Sequence, residues 1–513
     1  MLASRHRSRR HSMYSWTNFM PQFAIFFWSN SQATAMKQHS ELDLRINRDG
    51  PGTSLTGSLV SQIRQLVLSG ALKPGDRIPA SRQLAADLGV ARGTVTTAID
   101  MLASEDLLVA RKGAGVFVSG ARPGLGNSGT GLSSDFVAVP PPIPLPDMDV
   151  AMDAPFDFRP CRPSTAEFPR REWKRCLADA AGARVSPDYG DPQGLPELRH
   201  EIAEYLRRSR GLVAQPEEIV ITGGIIHSVS LLSRLFLGVG SKVIVEDPGY
   251  PLARQVFRLC GAELLSCPVD EDGLIVEALP ATGQDISFIY TTPSHQFPMG
   301  SRLSTARREA LIDWAEANKV IVLEDDYDGE FRFDVPPLPP LAAMRNNCAV
   351  HLGTFSKTLA PGLRIGFAAA PAPLIDAMTR YRAIQEYAPN SLMQAALAGF
   401  IRAGHFERHI KRMRRVYRNK RQTLRDCLGE YDVPGQLIGL ESGLHAVLML
   451  PRDLNAEMIS AAAAEEGLLI PPVSRYQSNP GRAPSNGLVI GYSEPGIETL
   501  RLGLRQLARI ILA

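Results

Sequence analysis

One lysine stands where its neighbours could put it to chemical use. Lys357 lies in the string Thr354-Phe-Ser-Lys-Thr-Leu-Ala-Pro-Gly-Leu-Arg364, directly after the apolar run Ala349-Val-His-Leu-Gly. A lysine amine whose pKa is lowered forms a Schiff base with an aldehyde. The hydroxyls of Thr354 and Ser356 and the guanidinium of Arg364 are groups that could hold a phosphate. A Ser-Lys pair alone is weak evidence, because most lysines are solvated surface groups. A second cluster, Glu324-Asp325-Asp326-Tyr327-Asp328, follows the apolar run Ile321-Val-Leu. Acids at the carboxyl end of a parallel strand lie where such sheets bind ligands. A pyridine-ring aldehyde cofactor needs a carboxylate at its ring nitrogen to remain an electron sink, and gains from a phenol near its ring oxygen. Asp325 and Tyr327 are residues of those types. No histidine is interleaved with the acids, which argues against a metal cluster, and no metal is expected.

Two further pieces fit the same chemistry. Thr222-Gly-Gly224 ends one apolar run and opens a helical pattern at Ile225. Backbone N–H groups at a helix start bind phosphate well. Glu246-Asp-Pro-Gly-Tyr250 ends the next run, and the Tyr250 ring could stack on a flat cofactor or belong to an ordinary turn.

These strings need a scaffold that presents them together. Residues 156–513 alternate short apolar runs with helical patterns, the runs including Ile219-Val-Ile-Thr, Lys242-Val-Ile-Val-Glu and Ile286-Ser-Phe-Ile-Tyr-Thr. Short apolar strands separated by helices predict an α/β fold with a mainly parallel sheet covered on both faces. The chain has 513 residues, is 44% hydrophobic and 21% charged, and carries a net charge of +3, too small to announce a partner. Its 6 cysteines are scattered without a CxxC pair. That argues against a disulfide framework or thiolate zinc site and fits a reducing cytoplasm.

A different module precedes this one. Leu59, Ile63, Leu66 and Val67 share a helical face over residues 51–119. Pro74-Gly75-Asp76 is a turn, and Ser81 is a candidate N-cap for a second helix. Gly89 ends that helix, and a third runs from about Ala91 with Val95, Ile99 and Leu102 inward. Two short helices around a tight glycine turn are the helix-turn-helix pattern. Leu108 to Val118 then alternates around Gly113 and Gly115, as a β-hairpin wing would. The third helix opens Arg92-Gly-Thr94-Val-Thr96, and such a helix meets base edges with its first residues. Arg77, Arg82, Arg111 and Lys112 would flank it at phosphates. The module holds 7 Lys/Arg against 5 Asp/Glu, so one copy should bind weakly and two half-sites are favoured. Protein contact is the alternative use of such a module.

Residues 120–155 are rich in Gly, Ser and Pro and read as a semi-rigid linker. Residues 1–50 read as a disordered basic tail, with Met36 an alternative start. Its apolar run Phe23–Trp28 is far short of the roughly 20 apolar residues that span a membrane, so no membrane partner is expected.

Gly75-Asp-Arg-Ile-Pro-Ala-Ser-Arg-Gln-Leu-Ala, Gly89-Val-Ala-Arg-Gly-Thr-Val and Gly113-Ala-Gly-Val-Phe-Val118 resemble the winged helix-turn-helix of GntR-family regulators. The resemblance implies DNA contacts at Arg77, Ser81, Arg82, Arg92, Thr94, Thr96 and Gly115. It departs at Ala91, where the family usually has Ser or Thr. Tyr189-Gly-Asp-Pro-Gln-Gly, Pro248-Gly-Tyr250, Pro293-Ser-His-Gln-Phe-Pro298, Glu324-Asp-Asp-Tyr-Asp328 and Phe355-Ser-Lys357 are similar to fold-type I aminotransferases. Narrower still, Pro-Ser-His-Gln-Phe-Pro and Gly-Thr-Phe-Ser-Lys resemble the MocR subfamily of GntR regulators.

That resemblance implies a fold-type I domain, with a smaller C-terminal α/β subdomain, that binds pyridoxal 5'-phosphate (PLP). Lys357 would bond the PLP aldehyde, Asp325 would pair with the pyridinium nitrogen and Tyr327 with the phenolic oxygen, and Tyr250 would stack on the ring. Gly224, Ile225, Thr354, Ser356 and Arg364 would surround the phosphate. Tyr189 would reach the phosphate of a neighbouring subunit, implying a homodimer. His295 and Gln296 would lie near the cofactor oxygen. Many relatives carry a Gln pair after the glycine, where this chain has Ile225-Ile226. An amino acid effector also needs an arginine for its carboxylate, for which Arg475 and Arg501 are both candidates. The implied function is a cytoplasmic PLP-dependent regulator of a double-stranded DNA operator, with PLP or a small amino compound as effector. The rivals are a working aminotransferase carrying a DNA-binding module, and a vitamin B6 buffer.

Overall fold

The computed structural model describes residues 44, 54–120, 154–183, 186–336, 338–345, 348–478 and 485–513. The expected tail, apart from Leu44, and the linker between residues 121 and 153 lie outside the described residues. The chain divides into two compact units, residues 1–141 and 142–513.

In the first unit, α1 (Leu55–Leu68) starts at Ser54, whose hydroxyl accepts the Gly57 N–H at 3.1 Å. A short strand β1 (Arg77–Ile78) precedes α2 (Ser81–Asp87) and α3 (Arg92–Ser104), and β2 (Leu108–Arg111) and β3 (Gly115–Val118) form the wing. The wing is antiparallel, with Leu108 opposite Val118, and β1 adds to its outer edge through Arg77–Phe117 and Ile78–Val116. Two residues between a turn and a helix carry too little periodicity to reveal β1 in advance. Leu59, Ile63, Val95 and Leu102 form the core as the spacing predicts, and Leu66 and Val67 pack at its margin. Leu44, counted with the tail, is buried against the same core. Ser81 is not a cap: Ala80 occupies that position without a side-chain bond, and Ser81 is the first helical residue.

The second unit begins with β4 (Phe156–Asp157), α4 (Arg170–Gly182) and α5 (Pro196–Arg210). An eight-stranded sheet follows. Its strands are β5 (Ile219–Thr222), β6 (Lys242–Asp247), β7 (Glu263–Asp270), β8 (Gly273–Leu274), β9 (Ile286–Thr291), β10 (Ile321–Asp326), β11 (Ala349–Thr354) and β12 (Gly366–Ala369). Their order is β5-β12-β11-β10-β9-β6-β7-β8. The run from β11 to β7 is parallel, and β12 runs against both neighbours. The predicted runs all become strands; β7, β8 and β12 were not anticipated.

Successive residues of these strands enter different cores. Ile219, Ile221, Ile244 and Val322 pack in one, while Val220, Val243, Val245 and Leu323 pack in the other. A sheet buried on both faces has no polar side to alternate with, which is why the runs are apolar throughout. Helix α6 (Ile225–Phe236) follows β5, and α7 (Pro251–Leu259) follows β6. The C-terminal subdomain is a three-stranded antiparallel sheet of β13 (Gln436–Ile438), β14 (His445–Met449) and β16 (Gly487–Gly491). The short strand β15 (Leu468–Leu469) pairs in parallel with β4, so the first residues of the unit are tied to its last subdomain.

Leu59 is fully buried where α1 packs on α3. Leu59→Ala should destabilise the first unit by roughly 2–5 kcal/mol. Hydrogen exchange of the α3 amides in the full chain should accelerate accordingly, with the β5–β12 amides unchanged.

Candidate functional site

The surface of the first unit expected to meet nucleic acid is formed by α3 and the wing. Arg92 is exposed at the first turn of α3, and its Nε donates to Ser81 Oγ at 3.4 Å. Ala91 stands at the N-cap without a side-chain bond to the first-turn N–H groups. Thr96 is exposed and donates its hydroxyl to Arg92 O at 3.1 Å, leaving its lone pairs outward; Thr94 is half-buried. Arg82 is exposed on α2. At the wing, Gly115 has φ +115°, and a Cβ there would lie 2.9 Å from Arg77 Nε. The glycine is what lets the Arg77 guanidinium lie along the wing. Arg111 stacks its guanidinium 4.9 Å from the Phe117 ring centre.

In the second unit the strand ends surround a cavity of about 370 Å³. Lys357, Asp325, Tyr327, Tyr250, Gly224, Ile225, Thr354, Ser356 and Arg364 all line it. They come from four strand ends and the loop after β11. The acid run at the end of β10 divides its duties by alternation. Glu324 points away, accepting Leu341 N–H at 2.9 Å and facing His351 Nδ1 at 3.2 Å. Asp326 pairs with the buried Arg210. Asp325 faces the cavity, where one oxygen accepts the Tyr290 hydroxyl and the other, Oδ1, is buried without a partner among the described residues. Burial pushes the Asp325 carboxyl up to about 7 against the opposing Tyr290 bond, with the neighbouring acids Asp326, Asp328 and Glu246 adding to the rise.

Opposite lies a cup for an anion. Gly224 precedes α6 at φ +109°, and a Cβ there would come within 3.6 Å of the Arg364 guanidinium. A Cβ on Gly366 would sit 2.7 Å from Gly224 Cα, so β12 can approach this loop only as glycine. Thr354 Oγ1 accepts the Ser356 N–H at 3.1 Å and donates to Ser356 Oγ at 3.0 Å. No carboxylate pairs with Arg364 among the described residues. A phosphate would meet hydroxyls, a guanidinium and helix-start N–H groups here, while the unpartnered Asp325 oxygen would meet a ring N–H. The residues present therefore fit PLP.

Other residues of interest do not line this cavity. His295 is buried behind Tyr327, with Nδ1 3.0 Å from its hydroxyl. Gln296 is spent on structure, donating to Glu246, Pro248 O and Phe297 O. Tyr189 is 73% exposed and stacks on Tyr387 at 4.3 Å, away from the cavity of its own chain. Arg475 sits in the turn Val473–Tyr476 outside the cavity wall, and Arg501 is exposed on the last helix, Ile497–Leu512. The arginines that do line the cavity are Arg159, Arg162 and Arg364. Arg159 and Arg162 both pair with Asp157, at 2.5 and 3.1 Å. They enter from the segment after β4, which the β4–β15 pairing holds at the site together with bonds from Gly491 N–H to Phe158 O at 2.7 Å and from the Ser493 hydroxyl to Arg162 O at 2.5 Å. Tyr290 also went unread, although it lies on β9 opposite Leu323, two residues before Asp325 on the same face of β10.

A GntR-type winged helix and a PLP-fold cavity in one chain define a class of regulator built on an aminotransferase scaffold. Residues 55–118 match the family of bacterial regulatory proteins, gntR family, and residues 164–484 match aminotransferase class I and II. The pyridoxine biosynthesis transcriptional regulator PdxR of Corynebacterium glutamicum is 36% identical over 91% of this chain and 98% of its own. The transcriptional regulator TauR of Rhodobacter capsulatus is 34% identical over 89% and 97%. Among solved structures, the α-aminoadipate aminotransferase LysN of Thermus thermophilus, complexed with N-(5'-phosphopyridoxyl)-L-leucine, is 29% identical with a TM-score of 0.64. It covers 70% of this chain and 92% of its own. The chain belongs to the MocR subfamily of GntR-family transcriptional regulators, and its cofactor is pyridoxal phosphate. No helix among the described residues is long and apolar enough to cross a membrane.

The raised Asp325 carboxyl has a consequence for the cofactor-free protein. Its folded pKa of about 7 exceeds the roughly 3.9 of an unfolded aspartate, so the fold binds the proton more tightly than the unfolded chain does. The associated stability is present at low pH and is lost as pH rises from about 4 through about 7. Asp325→Asn should remove this loss, on the order of a few kcal/mol, from the pH dependence of urea unfolding of the unloaded protein.

Proposed function

We propose that this chain senses PLP, or an amino compound reacting with it, and converts occupancy of the cavity into altered binding of an operator. The observation that carries the reading is the pairing, across one cavity, of Lys357 and the phosphate cup with the unpartnered oxygen of Asp325. When bound, the cofactor supplies an aldehyde for the lysine amine and an electron-withdrawing ring. Asp325 then holds the positive ring nitrogen, Tyr327 hydrogen-bonds the phenolic oxygen, and Tyr250 covers one face of the ring. Gly224, Ile225, Thr354, Ser356 and Arg364 bind the phosphate. In the first unit Arg92, Thr94 and Thr96 read bases or phosphates from α3, with Arg77, Ser81, Arg82 and Gly115 around them.

The exposed Tyr189 supports a homodimer in which it reaches the partner's phosphate cup. The modest charge of the winged helix supports the same assembly, since two half-sites add what one lacks. Vitamin B6 and amino-compound genes are the proposed targets, the first suggested by the named role of the 36% identical relative. An effector carboxylate would meet Arg159 and Arg162 in the wall rather than Arg475. The proposed compartment is the cytoplasm, where the operator is.

A working aminotransferase is the second reading, favoured by the complete set Lys357, Asp325 and Tyr327. Steady-state transamination with a keto-acid acceptor separates it from the sensor. Lys357→Ala should abolish the visible absorbance of the PLP-loaded protein while leaving its oligomeric state intact; a variant that stays yellow after dialysis overturns the lysine assignment. Arg92→Ala should weaken binding to the chain's own upstream DNA by ~1–3 kcal/mol in a titration at fixed salt. Unchanged affinity would place the recognition surface elsewhere.

A further inference from the structure

Behind Tyr327 lies a buried triangle that the proposed function leaves unused. His295 Nδ1 is 3.0 Å from Asp328 Oδ2 and also 3.0 Å from the Tyr327 hydroxyl. Both His295 and Asp328 are 1% exposed. Asp328 Oδ1 and His295 Nε2 have no partner among the described residues. The ring is held in place by two missing side chains. A Cβ on Gly443 would lie 1.9 Å from its Cε1 and 2.7 Å from Asp328 Oδ2, and one on Gly300 would lie 3.1 Å from its Nε2.

One ring nitrogen cannot serve both neighbours in every protonation state. If the neutral ring carries its proton on Nε2, Nδ1 must accept from Tyr327. Asp328 Oδ2 then faces a lone pair at 3.0 Å, and the buried carboxylate has no hydrogen bond on either oxygen. Leaving a buried charge unpaired is the costlier arrangement. If the proton is on Nδ1, it bonds Asp328 Oδ2, and what goes unsatisfied besides Asp328 Oδ1 is an acceptor, Nε2, which is the lesser penalty. Tyr327 then meets an N–H and not a lone pair, so its own hydrogen must turn away. Burial raises the phenol far above its ordinary value, with Asp328, Cys161, Asp325 and Glu246 adding to the rise, so it keeps that hydrogen.

We infer that Asp328 and His295 are positioning residues: the carboxylate fixes the Nδ1–H form of the imidazole, and this makes the Tyr327 hydroxyl a hydrogen-bond donor into the cavity, toward the phenolic oxygen of the bound cofactor. The inference rests on the proposed placing of Tyr327 beside that oxygen. Of the other groups facing the triangle, Cys161 lies within hydrogen-bond reach of the Tyr327 hydroxyl. His445 on β14 donates Nε2–H to Pro298 O at 3.0 Å and turns Nδ1 to Cys161 at 3.9 Å. The Cys161 sulfur is a weak acceptor, and burial keeps it a thiol. Tyr290 engages one oxygen of Asp325, whose other oxygen lies where the cofactor's ring nitrogen would sit, and Thr291, Thr292 and Gln296 engage Glu246. Lys357 faces the same space from the loop after β11.

A donor on the phenolic oxygen draws electron density from the lysine nitrogen bonded to the cofactor. It therefore holds down the pH midpoint at which the loaded protein changes colour. Tyr327→Phe should raise that midpoint. Asp328→Asn and His295→Gln should reproduce a large part of the rise and add nothing in the Tyr327→Phe background. An unmoved midpoint in a folded Asp328→Asn variant overturns the inference, as does a shift that persists undiminished in the Tyr327→Phe background. A second readout needs no cofactor. In the unloaded protein, histidine ¹⁵N spectra should show His295, identified by its loss in His295→Gln, protonated at Nδ1, and protonated at Nε2 once Asp328 is replaced. An Nε2–H form in the unmodified chain overturns the inference even where the protein takes up no PLP, and an Nδ1–H form supports it in the same circumstance.

Discussion

The second unit is organised around a carboxylate that its own fold leaves half satisfied. Asp325 is buried at the end of β10, with Tyr290 on one oxygen and the cavity before the other. A buried charge in that state is expensive, and the surrounding structure concedes part of the cost by letting the group hold a proton near neutral pH. A cationic ring nitrogen would remove the penalty. A ligand with a positive ring edge would supply what the isolated chain lacks, and the site would favour it over an anion that fills only the phosphate cup.

Holding that carboxylate opposite a phosphate cup is a problem of backbone approach. The cup and the acid come from opposite ends of a run of strands, β5, β12, β11 and β10, that must lie close together. Gly353 and Gly366 make this possible. A Cβ on Gly353 would enter the Phe367 ring at 2.2 Å, and one on Gly366 would meet the Gly224 and Gly353 backbones at 2.7 Å. Side chains at either position would push β12 outward and carry the Gly224 turn with it. The glycines of Gly-Thr-Phe-Ser-Lys and Arg-Ile-Gly therefore set the width of the cavity more directly than any residue lining it.

Much of this was legible from residue order alone, because the groups lie at strand ends and strands announce themselves. The runs over 219–222, 242–247, 286–291, 321–326 and 349–354 mark the sheet, and each chemically notable string follows one of them. Elements shorter than a period, such as β1 and β4, were not legible. Arg159 and Arg162 were missed for that reason: they follow a two-residue strand whose place is set by its pairing with β15 and by bonds from Gly491 and Ser493, all distant in sequence. Ser81 was misjudged by one position, since a serine at the first helical residue looks the same in sequence as one at the cap. Within the acid run Asp325 and Tyr327 stood out, whereas the partners of Glu324 and Asp326, set by alternation along β10, did not. Asp328 joins His295 and His445, whose ligand atoms come within 4.8 Å of its own, a grouping that residue order conceals.

A regulator of this kind needs no turnover, only two occupancy states that differ in free energy elsewhere in the molecule. The β10 end supplies such a difference locally. Without a cation opposite, Asp325 is partly protonated near neutral pH; with one, it would be an anion. Loading would change the charge at the point where β9, β10 and the loop after β11 meet, and would do so whatever amino compound later reacts at Lys357. A ligand that left Asp325 in the same state would fill the cavity without this effect. Under the proposed function, occupancy by the cofactor and reaction with an effector would in that sense be separable inputs, the first read through a carboxylate and the second through the lysine.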